Sequence, residues 1–214
     1  MPEETLSYEQ TLRTGGAHAI RETSSYFEKR GSLFHALHRL VDQLNAQGIP
    51  YAVLGALAMT QHGHARMTED IDILLTPEGL EQFRQTLVGR GYRPAIEGAK
   101  KSFQDTETGV RIDIVTTGEY PGDGLPKPVV FPDPANPEIT TEIDGVCVLN
   151  LEKLIELKLA SGLTASHRLR DLADVQDLIT RLELSLSMSE QLDPSVQTTY
   201  LELWHKSHPP LTNS

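Results

Sequence analysis

The chain has 214 residues, of which 38% are hydrophobic and 23% charged, with 30 Asp plus Glu against 19 Lys plus Arg and a formal net charge of −11. That length suits one domain or one domain with an appendage, and the composition excludes wholesale disorder. A surface this acidic repels phosphate backbones at long range, which disfavours autonomous, sequence-independent nucleic-acid binding and leaves carboxylates free to hold a metal.

The longest apolar run, Tyr51 to Met59, is less than half of the roughly 20 residues a membrane helix needs, so no membrane span is expected. The first 30 residues carry five acids and no hydrophobic block, which argues against a secretory signal. A single cysteine, Cys147, cannot close an internal disulfide, and a reducing cytoplasm is the expected home.

Residues 1–30 are read as a poorly ordered lead-in or a short helix. Leu33, Leu37, Leu40, Val41 and Leu44 then recur at helical spacing until Gly48 and Pro50 stop the helix. Tyr51-Ala52-Val53-Leu54 predicts a buried strand ending at Gly55, followed by a helix from Ala56 to about His62. Ile71, Ile73, Leu74 and Leu75 predict a second strand. Thr76-Pro77-Glu78 is a strong helix start, with a hydroxyl at the N-cap, proline at the first position and an acid in the first turn. That helix is expected to run through Leu80, Phe83 and Leu87 and to stop near Gly91.

Ser102–Thr106 and Val110–Val115 read as a hairpin around Glu107-Thr108-Gly109. Pro121 to Pro137 holds six of the chain's 13 prolines, so an extended loop or edge segment is expected there. A short strand at Val146-Cys147-Val148 precedes a helix capped by Asn150, predicted to span Leu151–Ala160 and to close at Ser161-Gly162. Ser166 is the expected cap of a further helix to about Leu182, and a last helix is expected near Val196–Trp204. The pattern predicts an α+β fold: a small mixed β-sheet core over residues 31–150, flanked by helices, with a helical C-terminal region over 151–214 packed on it.

The informative stretch is Gly55-Ala56, then thirteen intervening residues, then Asp70-Ile71-Asp72-Ile73. Alternate side chains of a strand point the same way, so Asp70 and Asp72 share one face while Ile71 and Ile73 enter the core. Two carboxylates about 7 Å apart along a strand repel each other unless a cation sits between them, and oxygen ligands of this kind suit Mg²⁺ or Mn²⁺ in its place. Asp113, in Arg111-Ile112-Asp113-Ile114, repeats the alternation and brings a third acid if its strand lies alongside. Three acids around divalent ions are what phosphoryl or nucleotidyl transfer requires. Gly55, between a strand and a helix, allows close approach of a phosphate to backbone N–H groups.

With these residues in place, the sequence resembles the nucleotidyltransferase superfamily, the group with the DNA polymerase beta-like palm. The order is a strand, a glycine turn, a helix, an acid-apolar-acid-apolar strand and a later third acid. The run Arg66-Met67-Thr68-Glu69-Asp70-Ile71-Asp72 looks most like the small prokaryotic branch around the AbiEii-type toxins. Leu154-Ile155-Glu156-Leu157-Lys158-Leu159 and Arg168-Leu169-Arg170-Asp171-Leu172-Ala173-Asp174-Val175 extend the likeness, which covers about residues 33–182. By resemblance, Asp70, Asp72 and Asp113 are the catalytic acids and metal ligands, and Gly55 and Ala56 form the phosphate loop. Arg66, Thr68, Lys158 and Asp174 complete the nucleotide site. Ala56 stands where the family has serine or glycine, so a hydroxyl for the triphosphate is missing while backbone contacts survive.

Lys158 lies on the apolar stripe of its helix, three and four residues after Ile155 and Leu154, and either snorkels to solvent or points into a cleft. Arg66 is expected to pair with Asp70 or Asp72 or to contact the nucleotide. Arg170 and Asp174 are spaced for a helical i,i+4 pair. His62-Gly63-His64 reads as a helix-ending turn rather than a zinc site, and Cys147 as a small core residue.

The resemblance implies a Mg²⁺-dependent transfer of NMP from an NTP to an acceptor hydroxyl on RNA, a protein or a small molecule, in a toxin–antitoxin type setting. The alternatives are a catalytically degenerate module acting with a partner protein, for which Ala56 and the proline-rich loop speak, and a phosphohydrolase using the same acids.

Overall fold

The structure, a computed structural model, describes residues 31–165 and 168–208. The expected lead-in over 1–30 and the expected cap at Ser166 lie outside the described residues.

Helix α1 (Ser32–Ala46) buries Leu33, Leu37, Leu40 and Leu44 completely, as its heptad-like spacing requires. It ends where Gly48 adopts φ +63 and the amides of Gly48 and Ile49 turn back to the carbonyls of Asn45 and Leu44, closing a Schellman motif. Strand β1 (Tyr51–Val53) leads directly into the short helix α2 (Gly55–Gln61). Strand β2 (Asp70–Leu75) follows, then helix α3 (Pro77–Thr86), whose Thr76 hydroxyl accepts from the Gly79 amide at 2.9 Å. Strands β3 (Tyr92–Pro94), β4 (Ser102–Asp105) and β5 (Arg111–Thr116) form an antiparallel meander. After the proline-rich loop come β6 (Thr140–Ile143) and β7 (Val146–Leu149). Helices α4 (Leu151–Thr164), α5 (Leu169–Arg181) and α6 (Pro194–Ser207), with a 3₁₀ segment at Leu186–Gln191, complete the described chain.

The seven strands make one mixed sheet in the order β3-β4-β5-β2-β1-β7-β6. β1 pairs antiparallel with β2 and parallel with β7, while β2 and β5 run parallel over six residues. Helices α1 and α3 pack on β2, α2 packs against β2 and β7, and α4, α5 and α6 pack on one another. The result is an α+β fold with a mixed sheet flanked by helices and a helical C-terminal part. Among the described residues no helix is long and apolar enough to cross a membrane.

Three expectations need correction. Helix α3 stops at Thr86, and the segment expected to reach Gly91 instead turns into β3. Strand β6 was not expected, because Thr140-Thr141-Glu142-Ile143 has no apolar face of its own and takes its conformation from pairing with β7. Helix α4 does not close at Ser161-Gly162 but continues to Thr164. Gly162 is there for space: a Cβ on it would lie 2.6 Å from the Leu172 side chain of α5.

Candidate active site

The alternation of β2 puts Ile71 and Ile73 in the core, at 0% and 1% exposure, and leaves Asp70 and Asp72 half-buried on the other face. The parallel register with β5 sets Asp72 opposite Asp113 and Asp70 opposite Arg111. Neighbouring strands lie about 4.8 Å apart, so three carboxylates and one guanidinium occupy a single patch of the sheet. Asp70 accepts from the Thr68 hydroxyl at 2.6 Å and from Arg111 Nη2 at 2.8 Å. Asp113 accepts from the Ser102 hydroxyl at 2.6 Å, and its Oδ2 lies 3.1 Å from Arg111 Nε.

Asp72 is the residue that Gly55 serves. Gly55 has φ +66, and a Cβ at that position would sit 2.1 Å from Asp72 Oδ2. The glycine is therefore required twice, for a left-handed turn and for room beside the carboxylate. Burial, followed by the charges of Asp70 and Asp113, pushes the Asp72 carboxyl up to about 7, while Lys158 and Arg168 pull the other way.

A second charged group comes from the C-terminal helices. Lys158, 7% exposed, donates to Asp174 Oδ2 at 2.7 Å and to Asp171 Oδ1 at 3.2 Å. Arg66 also pairs with Asp174, and the Ser161 hydroxyl donates to Asp171 Oδ2 at 2.6 Å. Lys158 therefore does not snorkel to solvent. Arg66 pairs with Asp174 rather than with Asp70 or Asp72, and Asp174 turns inward to Lys158 and Arg66 in place of the expected helical pair with Arg170.

Both groups line one cleft of about 880 Å³. Gly55, Ala56, Arg66, Thr68, Asp70, Asp72, Asp113 and Lys158 all border it, and of the predicted metal and nucleotide-site residues only Asp174 does not, being buried against Lys158. Arg111, Arg168 and Asp171 border it as well, and sequence reasoning gave none of them a role. The signal for Arg111 was available, since it lies two residues before Asp113 on a strand and so shares its face. His62 lies elsewhere, its Nε2 within 2.7 Å of the Leu149 carbonyl oxygen of β7.

The donor set fits a hard divalent cation: three carboxylates on one sheet face, one of them raised to about 7 by its burial and then by its neighbours' charge. Among the described residues, however, no three metal-ligating side chains are gathered as a ready-made centre. Asp70 and Asp113 are turned instead to Arg111, Thr68 and Ser102.

A mixed sheet with paired acids on β2, a third acid in register on β5, and a cleft shared with basic helices defines a nucleotidyltransferase-type fold. The chain belongs to the uncharacterised nucleotidyltransferase family, whose family model matches residues 17–193. Two solved structures of ANT(2'')-Ia share the fold at low identity. That of ANT(2'')-Ia in complex with adenylyl-2''-tobramycin is 14% identical with a TM-score of 0.51, covering 80% of this chain and 97% of that one. The solution structure of the antibiotic-resistance factor ANT(2'')-Ia is 15% identical with a TM-score of 0.50, covering 87% and 98%. A nucleotidyltransferase-like antigenic protein from Paracoccidioides brasiliensis is 15% identical with a TM-score of 0.46, covering 80% and 86%. No curated protein matches the chain.

Proposed function

We propose that this protein is a Mg²⁺-dependent nucleotidyltransferase that moves the NMP of an NTP to an acceptor hydroxyl and releases pyrophosphate. The observation that carries the reading is the β2–β5 register, which sets Asp72 beside Asp113 with Asp70 on the same face of the cleft. Asp70, Asp72 and Asp113 would hold the metal. When bound, Mg²⁺ or Mn²⁺ supplies neutralisation of phosphate charge and activation of the attacking oxygen.

The chain's own residues do the rest. The Gly55-Ala56 turn and Lys158 hold the phosphates, and Arg66, Thr68 and Asp174 support them by fixing Lys158 and Asp70 in place. Asp113 orients the acceptor hydroxyl and takes its proton. The acceptor oxygen bonds to the α-phosphorus as the bond from that phosphorus to the bridging oxygen of pyrophosphate breaks.

The Arg66-x-Thr68-x-Asp70-x-Asp72 run supports a toxin–antitoxin type enzyme of the AbiEii-like branch, working in the cytoplasm. Its acceptor is RNA, a protein or a small molecule, and the net charge of −11 weighs against a large nucleic-acid footprint. Ala56 favours a second reading, a catalytically degenerate scaffold acting with a partner protein.

Calorimetric titration with each of the four NTPs, with and without Mg²⁺, separates the two. Binding of one NTP that requires Mg²⁺ and weakens in Lys158→Ala supports the enzyme. No binding of any NTP at millimolar concentration overturns it in favour of the scaffold.

A further inference from the structure

We propose that the Arg111 guanidinium is a built-in occupant of the metal seat, bridging Asp70 and Asp113 in the metal-free protein, so that a divalent ion binds by displacing it. The inference rests on the reading of these acids as metal ligands.

The geometry is specific to one side chain. Arg111 Nη2 lies 2.8 Å from Asp70 Oδ2, and Arg111 Nε lies 3.1 Å from Asp113 Oδ2. One planar fork thus spans two strands and takes one oxygen from each acid, a bridge that a lysine's point charge cannot make. The other oxygens are taken too: Thr68 donates to Asp70 Oδ1 and Ser102 to Asp113 Oδ1. Every carboxylate oxygen of Asp70 and Asp113 is therefore engaged by a donor of this chain.

An ion and a guanidinium cannot share Asp70 Oδ2 and Asp113 Oδ2, because both need the same lone pairs and their charges repel. Competition follows. The Arg111 side chain is 47% exposed, so it leaves without losing a buried environment, and half-exposed ion pairs are weak enough to yield to a doubly charged ion. The released fork remains at the cleft edge, where a triphosphate offers it bidentate acceptors. Metal and nucleotide should consequently bind with positive coupling in the wild type, since each relieves Arg111 of its place on the acids.

The test is calorimetric titration of the metal-free full chain with Mn²⁺ alone, for the wild type, Arg111→Gln, Arg111→Lys and Asp72→Asn. Displacement predicts a dissociation constant about tenfold lower in Arg111→Gln than in the wild type, with Arg111→Lys between them. Equal or weaker binding in Arg111→Gln overturns the proposal. If Asp72→Asn abolishes the binding that Arg111→Gln leaves unchanged, the metal reading stands and only the displacement falls. If no form binds Mn²⁺ at about 10 mM, far above the affinity a working site requires, both fall. Should Arg111→Gln fail to fold, the wild-type Arg111 Nε–H resonance, assigned by its loss in Arg111→Lys, provides the second reading. It should move on addition of diamagnetic Mg²⁺, and a resonance that stays fixed at saturating Mg²⁺ overturns the proposal.

Discussion

On the strand side of the cleft, Asp70 and Asp113 share one guanidinium, Arg111, and Asp72 lies on the same sheet face. On the helix side, Lys158, Arg66 and Arg168 are set against two carboxylates, Asp171 and Asp174. The first group carries an excess of negative charge and lies half-exposed on the sheet. The second carries an excess of positive charge, and its central pair, Lys158 with Asp174, is nearly buried at 7% and 3% exposure. Fully neutralised groups of this size would be structural ion-pair networks. On the proposed function, the acids of the first group would take a metal ion and the cations of the second a polyphosphate.

The comparison breaks most severely at Asp72. Asp72→Asn should lower nucleotidyl transfer by about 10³-fold or more, because it removes a charged ligand at the reacting phosphate; product formation from labelled NTP measures this, and transfer at the wild-type rate would end the assignment. Lys158→Ala strikes the other side. It leaves Asp174 and Asp171 without their shared ammonium and should destabilise the fold by about 3 kcal/mol, softened by Arg66 at Asp174, as urea denaturation would show.

Gly55→Ala should cost about 2 kcal/mol from the left-handed turn and displace the Asp72 carboxylate. Melting temperature and NTP affinity should fall together. A further effect is a pH dependence. With its folded value raised to about 7 from 3.8, Asp72 contributes stability that is full below about pH 4 and is lost as pH rises through 7. Metal-free protein should therefore be less stable at pH 8 than at pH 5 by about 3 kcal/mol, and should melt lower. Asp72→Asn should remove that loss, and added Mg²⁺ should offset it in the wild type. Ser102→Ala is the mildest change, costing about 1 kcal/mol through one hydroxyl–carboxylate bond and sharpening the division between the acids that hold charge and the groups that aim them.

Much of the frame was legible because it rests on local chemistry. The Thr76-Pro77 and Asn150 caps, the α1 stripe and the alternation in β2 and β5 each follow from spacing within a few residues. What escaped was set by partners far along the chain. Strand β3 contains Pro94 and β6 is polar, so both depend on a neighbour for their conformation. Gly162 looked like a helix end because its reason, Leu172, belongs to the next helix. The three acids could be placed by pattern, but the partner of Arg66 depends on how α5 docks, and the bridge made by Arg111 depends on a strand register. Neither is written in a local window of sequence.

The β2–β5 register also sets a time of assembly. Arg111 is 41 residues from Asp70, and Lys158 lies 16 residues from its partner Asp174 across a separate helical hairpin. Parallel pairing between distant segments is slow compared with local helix formation. As the chain leaves the ribosome, Asp70 and Asp72 emerge well before the strand that brings Arg111 to Asp70 and the helices that complete the cleft. The cleft lacks its helical wall, with Lys158, Arg168 and Asp171, until α4 and α5 have docked, and the acids of the sheet face solvent until then.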